Sequence, residues 1–129
     1  MTAPRFASLL QRFFTDRLLG QLDASPHTVG SYRDTFRLLL RFATAHLGHA
    51  PSDLRVEALD APFLGQFLEH LEVARHNGAR TRNTRLSALH AFFRYVALDE
   101  PALALQCQRV LAMPAKRYQR GPVEFLTQE

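Results

Sequence analysis

The sequence contains one cysteine and one lysine, and it has no apolar run long enough to cross a membrane. A single cysteine, Cys107, excludes a disulfide framework and a zinc site built from several cysteines. The densest apolar stretch, residues 36–45, is interrupted by Arg37 and Arg41, whereas a membrane-spanning helix needs about 20 apolar residues. The amino terminus lacks the long apolar core of a signal peptide. We therefore expect a cytoplasmic protein without a membrane segment.

Sequence motifs of common enzyme chemistry are also missing. All six glycines are isolated, so the chain has no nucleotide-binding glycine loop. His46 and His49 have no cysteine or clustered carboxylates beside them, and we predict neither a metal site nor a cofactor. No motif combines a nucleophile, a base and an oxyanion donor. We therefore expect that this chain is not itself an enzyme.

Length and hydrophobic spacing predict one all-α domain of four to five helices. The 129 residues, 47% of them hydrophobic, suffice for a single domain with its own core. Apolar residues recur at three- and four-residue spacing, as they do on the buried face of a helix. The predicted helices cover residues 5–19, 26–47 after a cap at Ser25, 61–76 after a cap at Asp60, 82–98 after a cap at Thr81, and 101–113. Residues 48–59 are predicted to form a loop, and residues 122–126 show a weak strand pattern.

The positive charge is unevenly distributed along the chain. Fifteen of the sixteen basic residues are arginine, which suits phosphates and guanine edges. Residues 73–98 contain five arginines and no acidic residue, whereas residues 53–72 contain five acidic residues and one arginine. A solvated surface mixes both signs, so this separation favours an anionic partner that meets only the basic segments. We expect the acidic segment to lie away from the basic face.

The fourth predicted helix has a polar face that suits the major groove of DNA. At 100° per residue, the side opposite its apolar stripe carries Arg80, Asn83, Thr84, Ser87, Ala91 and Arg94, with His90 at the margin. Short side chains allow close approach, and arginines reach bases or phosphates. The exposed start of the second helix adds His27, Thr28 and Ser31 near a helix N-terminus, which favours phosphate. Two alternatives remain open: a merely solvated helix face, and a purely local capping role for Thr28.

Two segments resemble helices of the tyrosine recombinases, the phage integrase family. Residues 25–42, SPHTVGSYRDTFRLLLRF, resemble the family's S-x-x-T-x-x-x-Y helix, and residues 81–96, TRNTRLSALHAFFRYV, resemble its T-x-N-x-R-L-S-A-L-R-x-F-F-x-Y helix. The resemblance implies a SAM-like core-binding domain, an orthogonal bundle that forms half of a clamp around duplex DNA. Its second and fourth helices would cross the major groove. The DNA-facing positions it implies are Thr28, Ser31, Arg80, Asn83, Ser87 and His90.

The chain departs from the family pattern in three places. His90 occupies a position where the family often has arginine, and Arg82 occupies a usually apolar position that we expect to point toward the core. The family's catalytic residues belong to a later domain, and this chain contains no His-x-x-Arg motif. Tyr118 is interpreted as a linker residue and not as the nucleophile.

The resemblance also implies a division of the chain and a set of partners. Residues 1–115 are expected to form the DNA-binding domain, and residues 116–129 the linker and the start of a catalytic domain. Lys116 and Arg117, in the basic linker, are further predicted DNA contacts. The implied partners are duplex DNA, a catalytic domain C-terminal to this chain and other recombinase protomers on the DNA. The alternative function is a helical protein-interaction module without DNA binding, which predicts an exposed apolar groove instead of a basic face.

Overall fold

A computed structural model describes residues 5–76 and 78–117. Within these ranges the chain forms five α-helices: α1 (Phe6–Arg12), α2 (Pro26–Leu47), α3 (Ala61–Ala74), α4 (Ala79–Asp99) and α5 (Ala104–Leu111). Short 3-10 turns lie at Pro51–Asp53, Val56–Ala58 and Pro101–Leu103, the first two within the predicted loop. The prediction of an all-α domain is confirmed, and the weak strand pattern lies outside the described ranges. None of the helices in these ranges is long and apolar enough to span a membrane.

The first helical region extends beyond α1 as a π-helical segment, Phe13–Gln21, and ends two residues after the predicted boundary. A π-helix bonds each N–H to the carbonyl five residues earlier, and Leu22 N–H donates to the Arg17 carbonyl oxygen in this way at 2.8 Å. Phe13 and Leu18, five residues apart, are both buried. The wider turn therefore keeps two side chains at this spacing on the core side of the helix.

Capping residues determine the ends of α2 and the start of α3 as predicted. Ser25 Oγ accepts a hydrogen bond from Thr28 N–H at 3.1 Å, and Asp60 Oδ1 accepts one from Phe63 N–H at 3.0 Å. Gly48 ends α2 with a φ of 73°, in the left-handed region that glycine adopts without a Cβ clash. These local contacts explain why both boundaries can be derived from short sequence patterns.

The start of α4 differs from the prediction. We expected Thr81 to cap a helix over residues 82–98, but α4 begins directly after Gly78 and includes the threonine. Arg82 N–H donates to the Gly78 carbonyl oxygen at 3.0 Å, so the backbone alone closes the first turn. The alanine and arginine that open α4 are strong helix formers, which explains why the helix starts before the expected cap.

Two other helices are shorter than predicted. α3 ends at Ala74, before the expected stop at residues 77–78. α5 covers residues 104–111 instead of 101–113, because Pro101 opens a 3-10 turn in which Leu103 N–H donates to the Glu100 carbonyl oxygen at 2.9 Å. Both differences lie at helix ends, where a few polar contacts decide the boundary.

α4 lies in the middle of the bundle and contacts the other four helices. On it, the Phe92 ring contacts Phe6 of α1, Phe13 of the π-helical segment and Phe36 of α2. The ring centroids are 5.4, 5.5 and 5.4 Å apart in edge-to-face arrangements. Because Phe92 is enclosed by three elements, α4 cannot turn about its axis without losing these contacts. The packing therefore determines which residues of α4 face outward.

Replacing Phe92 with alanine is expected to lower the free energy of unfolding by about 3–5 kcal/mol, since the change leaves a cavity among three aromatic rings. Urea unfolding of the purified chain measures this loss as a lower midpoint at an unchanged slope. The control is Leu98→Ala on the same helix, where the side chain is 70% exposed and the expected change is below about 0.5 kcal/mol. Equal losses in the two variants would contradict a central role for Phe92.

Candidate nucleic-acid interface

The outward face of α4 carries four exposed polar residues: Arg80, Thr84, Ser87 and Arg94. Their exposure agrees with the helical spacing of the sequence. α4 has no acidic residue before its last one, Asp99. The face therefore presents guanidinium and hydroxyl groups, and no residue of α4 itself adds a carboxylate among them.

The two hydroxyl groups of this face are bonded within the helix. Thr84 Oγ1 donates to the Arg80 carbonyl oxygen at 3.1 Å, and Ser87 Oγ donates to the Asn83 carbonyl oxygen at 3.0 Å. Bonds of this kind keep short side chains close to the helix surface. An exposed hydroxyl can also rotate and donate to a ligand. The middle of the face thus allows close approach to the α4 backbone.

An ion pair joins α2 to α4. Arg85 Nη1 lies 3.3 Å from Asp34 Oδ2, and the arginine side chain is only 11% exposed. At the start of α2, His27 is exposed, whereas Thr28 and Ser31 are half-buried. The Thr28 hydroxyl accepts a hydrogen bond from the capping serine at 3.1 Å, so Thr28 takes part in the cap of α2.

Asn83 and His90, both predicted to face DNA, bond to the backbone at and after the end of α5. Asn83 Nδ2 donates to the Lys116 carbonyl oxygen at 2.7 Å, and Asn83 Oδ1 accepts from Lys116 N–H at 2.8 Å. His90 Nε2 lies 3.0 Å from the Val110 carbonyl oxygen. These bonds engage polar atoms that base contacts would need, and they bring Lys116 and the exposed Arg117 to α4. The assignment of all four as DNA contacts stays a prediction.

Glu72 of α3 connects three parts of the chain. Its carboxylate lies 3.4 Å from Arg82 Nε on α4 and 3.0 Å from Lys116 Nζ after α5. The Arg82 side chain is only 14% exposed, in agreement with its predicted inward position. The buried Nη1 atom of Arg82 has no hydrogen-bond partner among residues 5–76 and 78–117. Glu72 is therefore the carboxylate that compensates a largely buried arginine.

The acidic and basic segments are not separated in space as expected. Glu72 ends the acidic segment 53–72, yet it contacts two basic residues, and Asp34 contacts a third. Two of these contacts join residues far apart in the sequence, 51 positions for Arg85 and Asp34 and 44 for Lys116 and Glu72, so charge patterning along the chain did not reveal them. The sequence contains one hint of the pairing with Arg85: Asp34 is the single acidic residue between positions 24 and 52.

Comparison with known families matches residues 10–99 to the phage integrase N-terminal SAM-like domain. This chain belongs to that family. The matched residues include α2, α3 and α4 and both motifs on which the resemblance was based. The prediction of a SAM-like domain is thereby confirmed, and the outward face of α4 is a surface of such a domain.

Two proteins of Sinorhizobium fredii (strain NBRC 101917 / NGR234) are similar to this SAM-like domain. The protein named integrase/recombinase y4rC is 52% identical over 121 residues, which cover 94% of this chain and 36% of that protein. The one named integrase/recombinase y4rD is 44% identical over 111 residues, which cover 86% of this chain and 40% of that protein. The chain thus spans well under half the length of these relatives. No solved structure matches it significantly.

His90 of the SAM-like domain has a pKa below the usual histidine range. Partial burial beside α5 is the main cause, because it disfavours the imidazolium form. The positive charge of Arg94 lowers the pKa further, and the bond to the Val110 carbonyl opposes both effects. Since a carbonyl can only accept, Nε2 carries the proton of the neutral ring. At neutral pH His90 therefore adds no positive charge to the face, unlike an arginine.

Replacing Glu72 with alanine is expected to lower the free energy of unfolding of the SAM-like domain by about 1–3 kcal/mol, because Arg82 then stays largely buried without a carboxylate. Urea unfolding measures the difference. Glu69→Ala is the matched control, since Glu69 is exposed on the same helix, one turn earlier, and should cost less than about 0.5 kcal/mol. A Glu72 variant as stable as the Glu69 variant would disprove this role.

The stability of the SAM-like domain is expected to fall as the pH is lowered through the unfolded-state pKa of histidine, about 6.5. Between that value and the lower pKa of His90 in the folded state, the unfolded chain binds more protons, so acid favours unfolding. Urea midpoints from about pH 8 to about pH 5 should show this decline. The decline should be smaller in His90→Gln, which retains an N–H donor for the Val110 carbonyl but has no group that titrates in this range. Parallel curves for the two proteins would refute the contribution of His90.

Proposed function

We propose that this domain binds duplex DNA as the N-terminal half of a clamp and orients a site-specific tyrosine recombinase on its recombination site. One observation carries the proposal: the outward face of α4 exposes Arg80 and Arg94 with Thr84 and Ser87, in a helix without an acidic residue before Asp99. A solvated helix is usually stabilised by pairs of opposite charge. Guanidinium and hydroxyl groups are common protein contacts to phosphates and base edges.

The dimensions of α4 support binding in a major groove. At a rise of 1.5 Å per residue, Arg80 and Arg94 lie about 21 Å apart along the helix. The major groove is about 12 Å wide, so arginines at these positions can reach phosphates on both sides of it. Between them, Ser87 and Ala91 are small and allow the helix backbone to approach the base edges.

The start of α2 supplies a second set of contacts in this proposal. Its N-terminal N–H groups and helix dipole favour a phosphate, and His27, Thr28 and Ser31 lie within its first two turns. The ion pair between Asp34 and Arg85 holds α2 against α4. We expect most contacts to position the domain on the phosphate backbone, with limited readout of bases from α4.

The role of the whole protein follows from the same proposal. Residues 1–115 bind DNA, and residues 116–129 lead into a catalytic domain that cuts and rejoins DNA through a phosphotyrosine. The names of the two S. fredii relatives, integrase/recombinase, support this role. The partners are duplex DNA, the catalytic domain and further protomers on the same DNA. The residues of this chain position the DNA and do not catalyse the reaction.

Binding to duplex DNA is expected to weaken steeply with salt. If about four to six phosphates are neutralised, the logarithm of the association constant falls against the logarithm of salt concentration with a slope of about −4 to −5. Replacing Arg80 and Arg94 together with alanine should bring this slope closer to zero by about 2 and weaken binding to all sequences alike. Fluorescence anisotropy with a labelled duplex, titrated at several salt concentrations, measures both quantities.

The control for this experiment is a double variant with the same change in charge. Arg41→Ala with Arg109→Ala removes two exposed arginines from the end of α2 and from α5, and should leave the slope nearly unchanged. Equal effects of the two double variants would indicate attraction by overall charge only. A flat salt response, or no preference for duplex DNA over heparin, would contradict the proposal. Unchanged binding in the Arg80 and Arg94 variant would favour a protein-interaction module.

A further inference from the structure

The backbone that follows α5 is held against α4 by a side-chain amide. Asn83 bonds to both polar groups of the Lys116 backbone, donating to the carbonyl oxygen at 2.7 Å and accepting from the N–H at 2.8 Å. The two residues are 33 positions apart. A side-chain amide carries one acceptor and two donors, so it can pair with an extended backbone as a neighbouring strand would. A Ser or Thr hydroxyl is a single group and does not match this two-point geometry.

A second contact acts on the same residue from α3. Lys116 Nζ lies 3.0 Å from a carboxylate oxygen of Glu72, which also pairs with Arg82. The Lys116 side chain is 54% exposed, so water and salt weaken this ion pair. The two hydrogen bonds of Asn83 act on the backbone itself, whereas the ion pair acts at the end of a long flexible side chain. Both act before any ligand is present.

We infer that Asn83 is a positioning residue, which docks the basic segment 114–117 at the edge of the outward face of α4 and does not read bases itself. The inference rests on the proposed DNA binding. Two-point recognition of a base edge needs the amide oxygen and an adjacent N–H together, and both already bind Lys116, so such a contact would have to break these two bonds. Arg117 follows the docked residue directly in the chain and is exposed.

Docking of this segment is linked to DNA affinity. While Lys116 is held by Asn83, Arg117 is restricted to the neighbourhood of α4, and little conformational freedom remains to be lost when DNA binds. Without the two bonds the segment samples many conformations, and ordering it on DNA costs entropy. Asn83 thus raises affinity through Arg117, and it sets the point from which the following chain leaves the domain.

Trypsin cleavage without DNA tests the docking. Cleavage after Lys116 and Arg117 should be on the order of tenfold faster in Asn83→Leu, which removes both bonds at a similar volume. Asn83→Asp keeps the acceptor and should lie between this variant and the original chain. Ser87→Ala, one turn later on α4, is the matched control and should not change the rate. Cleavage after Arg109, inside α5, reports any general unfolding of the variants.

Exchange of the Lys116 amide hydrogen provides a second measurement, since this N–H donates to Asn83 Oδ1. It should exchange faster in Asn83→Leu and remain protected in Ser87→Ala. Equal cleavage and equal exchange in the original chain and in Asn83→Leu would overturn the inference, whatever the result with DNA. These two measurements without DNA therefore separate a failure of docking from a failure of the proposed DNA binding.

A mutant cycle on duplex DNA tests the link to affinity. Arg117→Ala should weaken binding several-fold in the original chain and have little further effect in Asn83→Leu, because the undocked arginine has already lost most of its contribution. If Asn83 contacted bases directly, the two losses would add, and the loss in Asn83→Leu would depend on the DNA sequence. That result would overturn the inference.

Discussion

The enclosure of Phe92 determines which side of α4 is available to a ligand. This ring meets three phenylalanine rings from α1, the π-helical segment and α2, with centroids 5.4–5.5 Å apart. A rotation of α4 by one residue would remove Phe92 from these contacts and expose the apolar stripe. The orientation of the polar face therefore depends on the core, and the residues of that face contribute little to it. The core contacts and the exposed polar groups thus lie on opposite sides of one helix.

Two arginines of α4 depend on carboxylates of neighbouring helices. Arg82 and Arg85 lie largely buried, and each has a carboxylate partner from a neighbouring helix. Arg94 lies on the outward side and is exposed. A buried guanidinium needs a partner because its desolvation is costly. Asp34 and Glu72 therefore support the bundle, and Arg94 remains exposed to solvent.

Several elements follow from local sequence patterns, and others do not. The bounds of α2 agree with the prediction because Ser25 and Gly48 act on residues next to them. The inward position of the Phe92 stripe agrees because helical periodicity is a local property. The π-helical segment differs from the prediction because it depends on how a turn packs against the rest of the chain, whereas α4 starts earlier because its first residues are strong helix formers and need no side-chain cap. The bonds of Asn83 and His90 were missed because their partners lie 33 and 20 residues away.

Residue spacing and short motifs are enough to derive the helical class, the family and the composition of the outward face. The hydrogen-bond partners of the polar residues on that face follow from the packing of the helices and from no local pattern. Asn83 and His90 have the spacing of ligand contacts, yet the structure bonds them to the backbone at the end of α5. The acidic residues have the spacing of a separate segment, yet Glu72 pairs with the basic helix. Hydrogen bonds and ion pairs need atoms within about 3–4 Å, and the packing of helices alone brings distant residues that close.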